Sequence, residues 1–252
     1  MNTLDFLKSI NYTYAQPKRL LSQDNAKTIK GEKKGYETHI LYMSPEKQNS
    51  FGKNLCPNAT EGCKASCLFT AGMGKWSNVK IARTRKSDFF IKDRYAFMEM
   101  LKKEIAKIVS KAKDVSNIAI RLNGTTDIRW ENIRLANGNN IMQEFPMVQF
   151  YDYTKSANRF DDKLPDNYHM TFSRAETELN HIHCMTLLAK GYNVAVVFAV
   201  KDETLLPKIY EGYSVVNGDE DDLRFLDGNN KIVGLKAKGD AKKDTTSFVV
   251  KI

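Results

Sequence analysis

Between positions 38 and 237 the chain returns again and again to short apolar runs set apart by polar turns and helical stretches. That alternation leaves few folds open. The runs are 38–43 (THILYM), 117–122 (NIAIRL), 147–153 (MVQFYDY), 168–173 (YHMTFS), 193–200 (NVAVVFAV), 214–217 (SVVN) and 232–237 (IVGLKA). The fifth is almost unbroken in its apolar character, as a strand buried on both faces should be. A helix is expected over 87–113, where Phe90, Phe97, Leu101, Ile105, Ile108 and Ala112 step by threes, fours and sevens and Ser87 can cap the start. A short helix is expected after 122, and a longer one through Glu178, Ile182 and Leu188. Strands alternating with helices predict βαβ units and a mostly parallel sheet. The fold class is therefore α/β, a full or partial (β/α) barrel, with a doubly wound open sheet as the second choice. Residues 1–37 are polar, carry the basic stretch Lys27, Lys30, Lys33 and Lys34, and read as an arm or hairpin. No linker or repeat divides residues 38–252, which read as one domain.

Composition narrows the function classes. With 42% hydrophobic residues the chain can bury a full core, which excludes disorder and collagen-like structure. Its longest apolar stretch, 192–200, is far short of the ~20 residues that span a bilayer. The N-terminus lacks a basic region followed by an apolar run, so a cytoplasmic protein without membrane partners is expected. The net charge of +9 is uneven: residues 53–103 hold eleven bases against four acids, while 201–228 hold eight acids against three bases. A concentrated basic block predicts a polyanion, nucleic acid or nucleotide, with Lys64, Lys75, Arg83 and Arg85 as its contacts.

The basic block also holds three of the four cysteines, Cys56, Cys63 and Cys67, in a C-x6-C-x3-C loop. Three thiols on one Gly- and Pro-containing loop can converge on a metal, because thiolate is a soft ligand suited to iron–sulfur clusters or zinc. Neighbouring lysines favour the thiolate. Cys184 decides between two versions: three cysteines leave one iron of a four-iron cluster open, whereas four make a closed site that suits zinc. On its helix Cys184 reads as a core residue, and His181 and His183 as surface or hydrogen-bonded residues.

The predicted strands end in polar clusters, which a barrel would gather on one rim. After NIAIRL come Asn123, Gly124, Thr125, Thr126 and Asp127. The fourth run contributes Ser173, followed by Arg174 and Glu176. Asp152 and Lys155 flank the end of the third, and Asp219 to Asp222 with Arg224 follow SVVN. The expected catalytic set is Asp127, Asp152, Lys155, Arg174 and Asp219. Asn123, Gly124, Thr125, Ser173 and Arg174 are the expected cofactor contacts. Two alternatives share these residues. One is a zinc-containing nuclease or base-exchange enzyme using Asp127, Asp152, Asp219 and Asp222. The other is a non-catalytic nucleic-acid-binding protein with a structural zinc.

Several pieces together resemble a family of phage-encoded proteins known as numbered gene products. These are the CP…C…C loop running into Thr70-Ala71-Gly72-Met73-Gly74, the helix start with Arg83, the RLNGTTD turn, YDYTK, NGDEDDLRFLD and GLKAKG. The resemblance runs from about Thr38 to Val249. More loosely, a first strand, a three-cysteine loop, a long helix and alternating β/α units resemble a radical S-adenosylmethionine enzyme, whose usual loop is C-x3-C-x2-C. That likeness implies a four-iron cluster on Cys56, Cys63 and Cys67, with S-adenosylmethionine at its open iron. The NGTTD turn, Ser173 and Arg174 would then contact that cofactor.

Overall fold

A computed structural model of the protein describes residues 3–23 and 26–252; the Lys27 side chain of the basic stretch lies outside what is described. Nine strands form one sheet: β1 (Leu21–Ser22), β2 (Glu37–Leu41), β3 (Ile118–Arg121), β4 (Gln149–Thr154), β5 (Tyr168–Ser173), β6 (Val194–Phe198), β7 (Ile209–Tyr210), β8 (Tyr213–Asn217) and β9 (Ile232–Lys236). The helices are α1 (Thr3–Ser9), α2 (Ala26–Glu32), α3 (Glu61–Ala65), α4 (Ser77–Lys92), α5 (Arg94–Lys111), α6 (Ile141–Glu144) and α7 (Glu178–Ala189). All seven apolar runs form strands.

The strand order is β1-β2-β3-β4-β5-β6-β9-β8-β7. Every pairing from β2 to β8 is parallel, and only the edge strands β1 and β7 are antiparallel. These edges lie at opposite ends of the sheet, so a closed barrel is not formed. Nor does the order reverse between β2 and β6, as it would at the switch point of a doubly wound sheet. Crossovers of one hand repeated in one direction put the connections on the same side. Accordingly Phe89, Phe90, Phe97, Leu101 and Ile105 of α4 and α5, with Leu187 and Leu188 of α7, pack on one face of the strands. They meet Ile118, Ile120, Phe150, Met170, Phe172, Val194, Val196 and Ile232.

Because side chains alternate along a strand, the register sends the intervening residues to the opposite, inner face. Those residues are Thr38, Ala119, Arg121, Tyr151, Tyr153, His169, Thr171 and Ser173. The acidic segment after β8 covers this face. Leu223 packs against Ala119 and Tyr151, and Phe225 sets its ring 5.1 Å from Tyr36 and 5.6 Å from Tyr151.

Two sequence expectations need correction. The helix predicted over 87–113 is two helices broken at Asp93, whose carboxylate accepts from Ala96 N at 2.9 Å and caps α5. Ser87 is no cap; it lies fully buried inside α4, accepting from Ser44 N at 2.8 Å. The periodicity concealed the break because both helices face the same core. The segment read as a polar arm is tied to the sheet. Leu20 and Leu21 are buried, their amides donate to Glu104 of α5 at 2.7 and 2.9 Å, and β1 pairs with β2. Among the described residues no helix is long and apolar enough to cross a membrane.

Candidate functional site

The cysteine loop, residues 44–74, lies against the C-terminal ends of the parallel strands and is fastened at both ends. At its first thiol, Cys56 Sγ accepts from Glu46 N at 3.3 Å and lies 3.7 Å from Thr125 O, while Asp127 N donates to Leu55 O at 2.9 Å. The turn after β3 therefore holds the start. Farther on, Thr60 caps α3: its hydroxyl accepts from Cys63 N at 3.2 Å and donates to Glu176 Oε2 at 2.7 Å. Glu176, on the loop after β5, also accepts from Gly62 N at 2.8 Å. A Cβ at Gly62 would sit 2.3 Å from Thr246 Oγ1, so the approach requires glycine. Nothing local in the sequence marks Glu176 as the anchor of a loop more than a hundred residues away.

All four cysteines are free. Burial pushes the Cys56 thiol up to about 12, and Cys67, Asp127 and Cys63 each push it the same way. Cys67 is likewise raised, first by burial and then by Cys63, against the lowering effects of the Phe69 amide, Lys155 and Arg83. Cys63 and Cys67 are thus near enough to Cys56 to disfavour its thiolate, and Lys155 and Arg83 are near enough to Cys67 to favour its own. The Arg83 guanidinium lies 5.0 Å from the Tyr42 ring and 5.7 Å from Phe69. Its Nε and Nη1 are buried and lack an acceptor among the described residues, and burial lowers its pKa. Among the described residues no carboxylate pairs with this guanidinium to offset its desolvation. Lys155 donates to Ser173 Oγ at 2.7 Å and lies 5.4 Å from the centre of the Phe248 ring. Among the described residues no group of three or more His, Cys, Asp and Glu side chains is arranged to hold a metal ion.

The other predicted residues have structural partners. Asp152 is fully buried on the helix side and accepts from Asn123 N at 2.6 Å, Asn123 Nδ2 at 3.1 Å and Tyr168 OH at 2.7 Å. Burial pushes its carboxyl up to about 7, against those donors and Arg121. Asp127 accepts from Thr154 Oγ1 at 2.8 Å, Lys155 N at 3.0 Å and Arg159 Nη1 at 3.1 Å. Arg159, which no local sequence signal marks, is fully buried and also grips Glu131 with two bonds of 2.9 and 2.8 Å. The Asn123 oxygen accepts from Thr126 Oγ1, Ile128 N and Trp130 Nε1. Gly124 is required by packing: a Cβ would lie 2.7 Å from Ile40 Cγ2 and Tyr42 Cδ1. Thr125 donates its hydroxyl to Met43 O. The NGTTD turn therefore spends these polar groups on its own shape.

Arg174 donates to Ser247 O and Phe248 O, both at 2.9 Å, which draws residues 244–250 back to the strand ends. Asp219 accepts from Lys236 N at 2.7 Å and pairs with Lys238, and Asp222 pairs with Arg121. Cys184 is a core residue of α7, its thiol 3.5 Å from Asn180 Oδ1. Of the four predicted nucleic-acid contacts, Lys64 and Lys75 are exposed, whereas Arg83 faces inward beside Cys67 and Arg85 is half-buried. What remains gathered at the rim is Cys56, Cys63, Cys67, Arg83, Lys155 and Ser173. The cations of that set can bind an anion.

No curated protein and no solved structure matches the chain. The resemblance to numbered, phage-type gene products is borne out: a family model described as Gene product 88 matches residues 19–252, and the chain belongs to that family.

Proposed function

We propose that the protein is a metal-dependent enzyme acting on a nucleic acid or nucleotide, with Cys56, Cys63 and Cys67 as the ligands of an iron–sulfur cluster. One observation carries the reading: one loop holds three free thiols close enough for Cys63 and Cys67 to disfavour the Cys56 thiolate, and near Cys67 lies Arg83, whose buried Nε and Nη1 have no acceptor among the described residues. Thiolates on a cluster would supply the missing negative charge. The open, singly wound sheet supports a partial (β/α) barrel, and the loop stands at the end of the strands where such folds place chemistry. Three protein ligands leave one iron for a small molecule, with S-adenosylmethionine the proposed occupant. A bound four-iron cluster supplies one-electron chemistry at that iron. Around it, Lys155 and Ser173 would hold the ligand, Arg83 would balance the sulfurs' charge, and Glu176 would keep Cys63 over the strand ends.

The test is iron and sulfide analysis, with a visible spectrum, on protein purified without oxygen. About four irons per chain and a broad visible absorption are expected. Both should be lost in Cys56→Ser, Cys63→Ser and Cys67→Ser and kept in Cys184→Ser. Colourless protein with one tightly held zinc would defeat the cluster reading.

A further inference from the structure

The end of the cysteine loop and the start of α4 form a basic stretch: the residues from Ala65 to Ser87 include five bases and no acid, of which Lys75 is exposed, Lys80 and Arg85 are half-buried, Arg83 faces inward and Lys86 is buried on Leu20 O. Within that stretch two tight turns, Leu68–Thr70 and Gly72–Lys75, lead into α4. They leave Leu68 54%, Met73 55% and Trp76 53% exposed, with the exposed Lys75 between the last two. The turns are packed tightly by backbone: a Cβ at Gly74 would lie 2.7 Å from Phe69 O. From the far end of the chain, the turn Gly239–Lys243 abuts them, a Cβ at Gly239 lying 2.9 Å from Ala71 Cβ, and adds the exposed Lys242 and Lys243. An indole, a thioether and an isobutyl group thus stand in water near three exposed lysines, Lys75, Lys242 and Lys243, against the single exposed acid of these turns, Asp240.

We propose that this surface binds single-stranded nucleic acid, with Trp76 as a stacking platform and Lys75, Lys242 and Lys243 on the phosphates. Charge selects a polyanion, and the exposed rings and chains select one whose bases are free to stack. A duplex would offer phosphates but keep its base faces covered. The proposal rests on the nucleic-acid half of the proposed function and not on the thiol site, so the two fail separately.

Fluorescence makes the test direct, because the chain has only two tryptophans and the second, Trp130, is fully buried. Titrating the protein with a labelled oligothymidylate or oligouridylate should quench Trp76 and raise the label's anisotropy. The logarithm of affinity should fall linearly with the logarithm of salt, at about 0.7 per phosphate contacted. A duplex of equal length should bind at least about tenfold more weakly. Trp76→Ala should weaken single-strand binding by about five- to a hundredfold while leaving the far-ultraviolet circular dichroism unchanged. Lys75→Gln and Lys242→Gln should each lower the salt slope by about one contact. All of this should persist in Cys63→Ser, whose cluster content reports on the other reading. Unchanged Trp76 emission at low salt, full binding by Trp76→Ala, or association with anionic phosphatidylserine vesicles in place of oligonucleotide would each overturn the proposal.

Discussion

The two faces of the sheet are made from the same strands and held by opposite means. On the helix side Ile118, Ile120, Phe150, Met170 and Phe172 meet α4, α5 and α7, and the stabilising term is area removed from water. On the inner side the next residues along the same strands are Arg121, Tyr151, Tyr153, His169 and Thr171. They are covered by a segment that brings Asp222, Arg224 and Asp227. Burial there is just as deep, with Arg224 and Thr171 at 1% and 0% exposure, but the groups buried are polar. An apolar contact loses energy in proportion to what is removed. A buried ion pair holds until one partner goes and then costs the whole desolvation of the other.

Cutting the helix side gives the largest effect. Phe150→Ala should cost about 3–5 kcal/mol, read as a fall in the denaturation midpoint with little change in slope. On the inner side, Arg121→Met removes the cation from Asp222, which is 3% exposed, while Tyr151 OH stays on that carboxylate, and it should cost about 3–5 kcal/mol as well. There the symmetry breaks: adding Asp222→Leu should restore most of that stability, since the carboxylate that lost its cation is then gone, whereas no second truncation rescues Phe150→Ala. A double-mutant cycle that shows simple additivity for Arg121 and Asp222 would erase the distinction between the faces.

Acid should separate them further. Asp152, on the helix side, has its carboxyl raised from 3.8 to about 7 by burial. Its contribution is complete below 3.8 and is lost as pH rises through 7. His169, on the inner side, is lowered from 6.5 to about 4 by burial and by Arg224. Its contribution is present above 6.5 and lost as pH falls through 4. Between pH 7 and 4 the two oppose each other, Asp152 by up to about 4 kcal/mol and His169 by up to about 3 kcal/mol at 1.36 kcal/mol per pKa unit. Asp152→Asn should therefore lose stability on acidification more steeply than the parent, and His169→Gln less steeply. Parallel curves for the three proteins would remove the opposition. Smallest of all, Tyr151→Phe gives up one bond to Asp222 and should cost about 1 kcal/mol, because Arg121 still grips that carboxylate.

This contrast also explains what could be read in the sequence. Strands announce themselves through runs of apolar residues, so all seven were visible, and β5 occupies the six residues expected for it. The three-cysteine loop was legible too, as was its place after the first parallel strand. Polar residues carried less information. Asp152 looks like a strand-end catalyst until Tyr168 and Asn123 close on it, and Asp127 until Arg159 does. Those partners lie 16 to 32 residues away, and no periodicity links them. Ser87 and Asp93 are both acceptable caps by composition; only the direction of the chain in space chooses Asp93. Leu20 and Leu21 are two residues long as a signal, too short for any period to show.

The order of strands also sets an order of assembly. From β2 to β6 each strand lies beside the one made just before it, so the sheet can grow as the chain leaves the ribosome. Then the sequence breaks: the β7–β8 hairpin has no parallel neighbour until β9 emerges and wedges between it and β6. For as long as that takes, β3 to β5 present Arg121, Tyr151 and His169 to the surroundings instead of leucines. The half-made sheet wears a hydrophilic front at the stage when sticking to its neighbours would do the most harm.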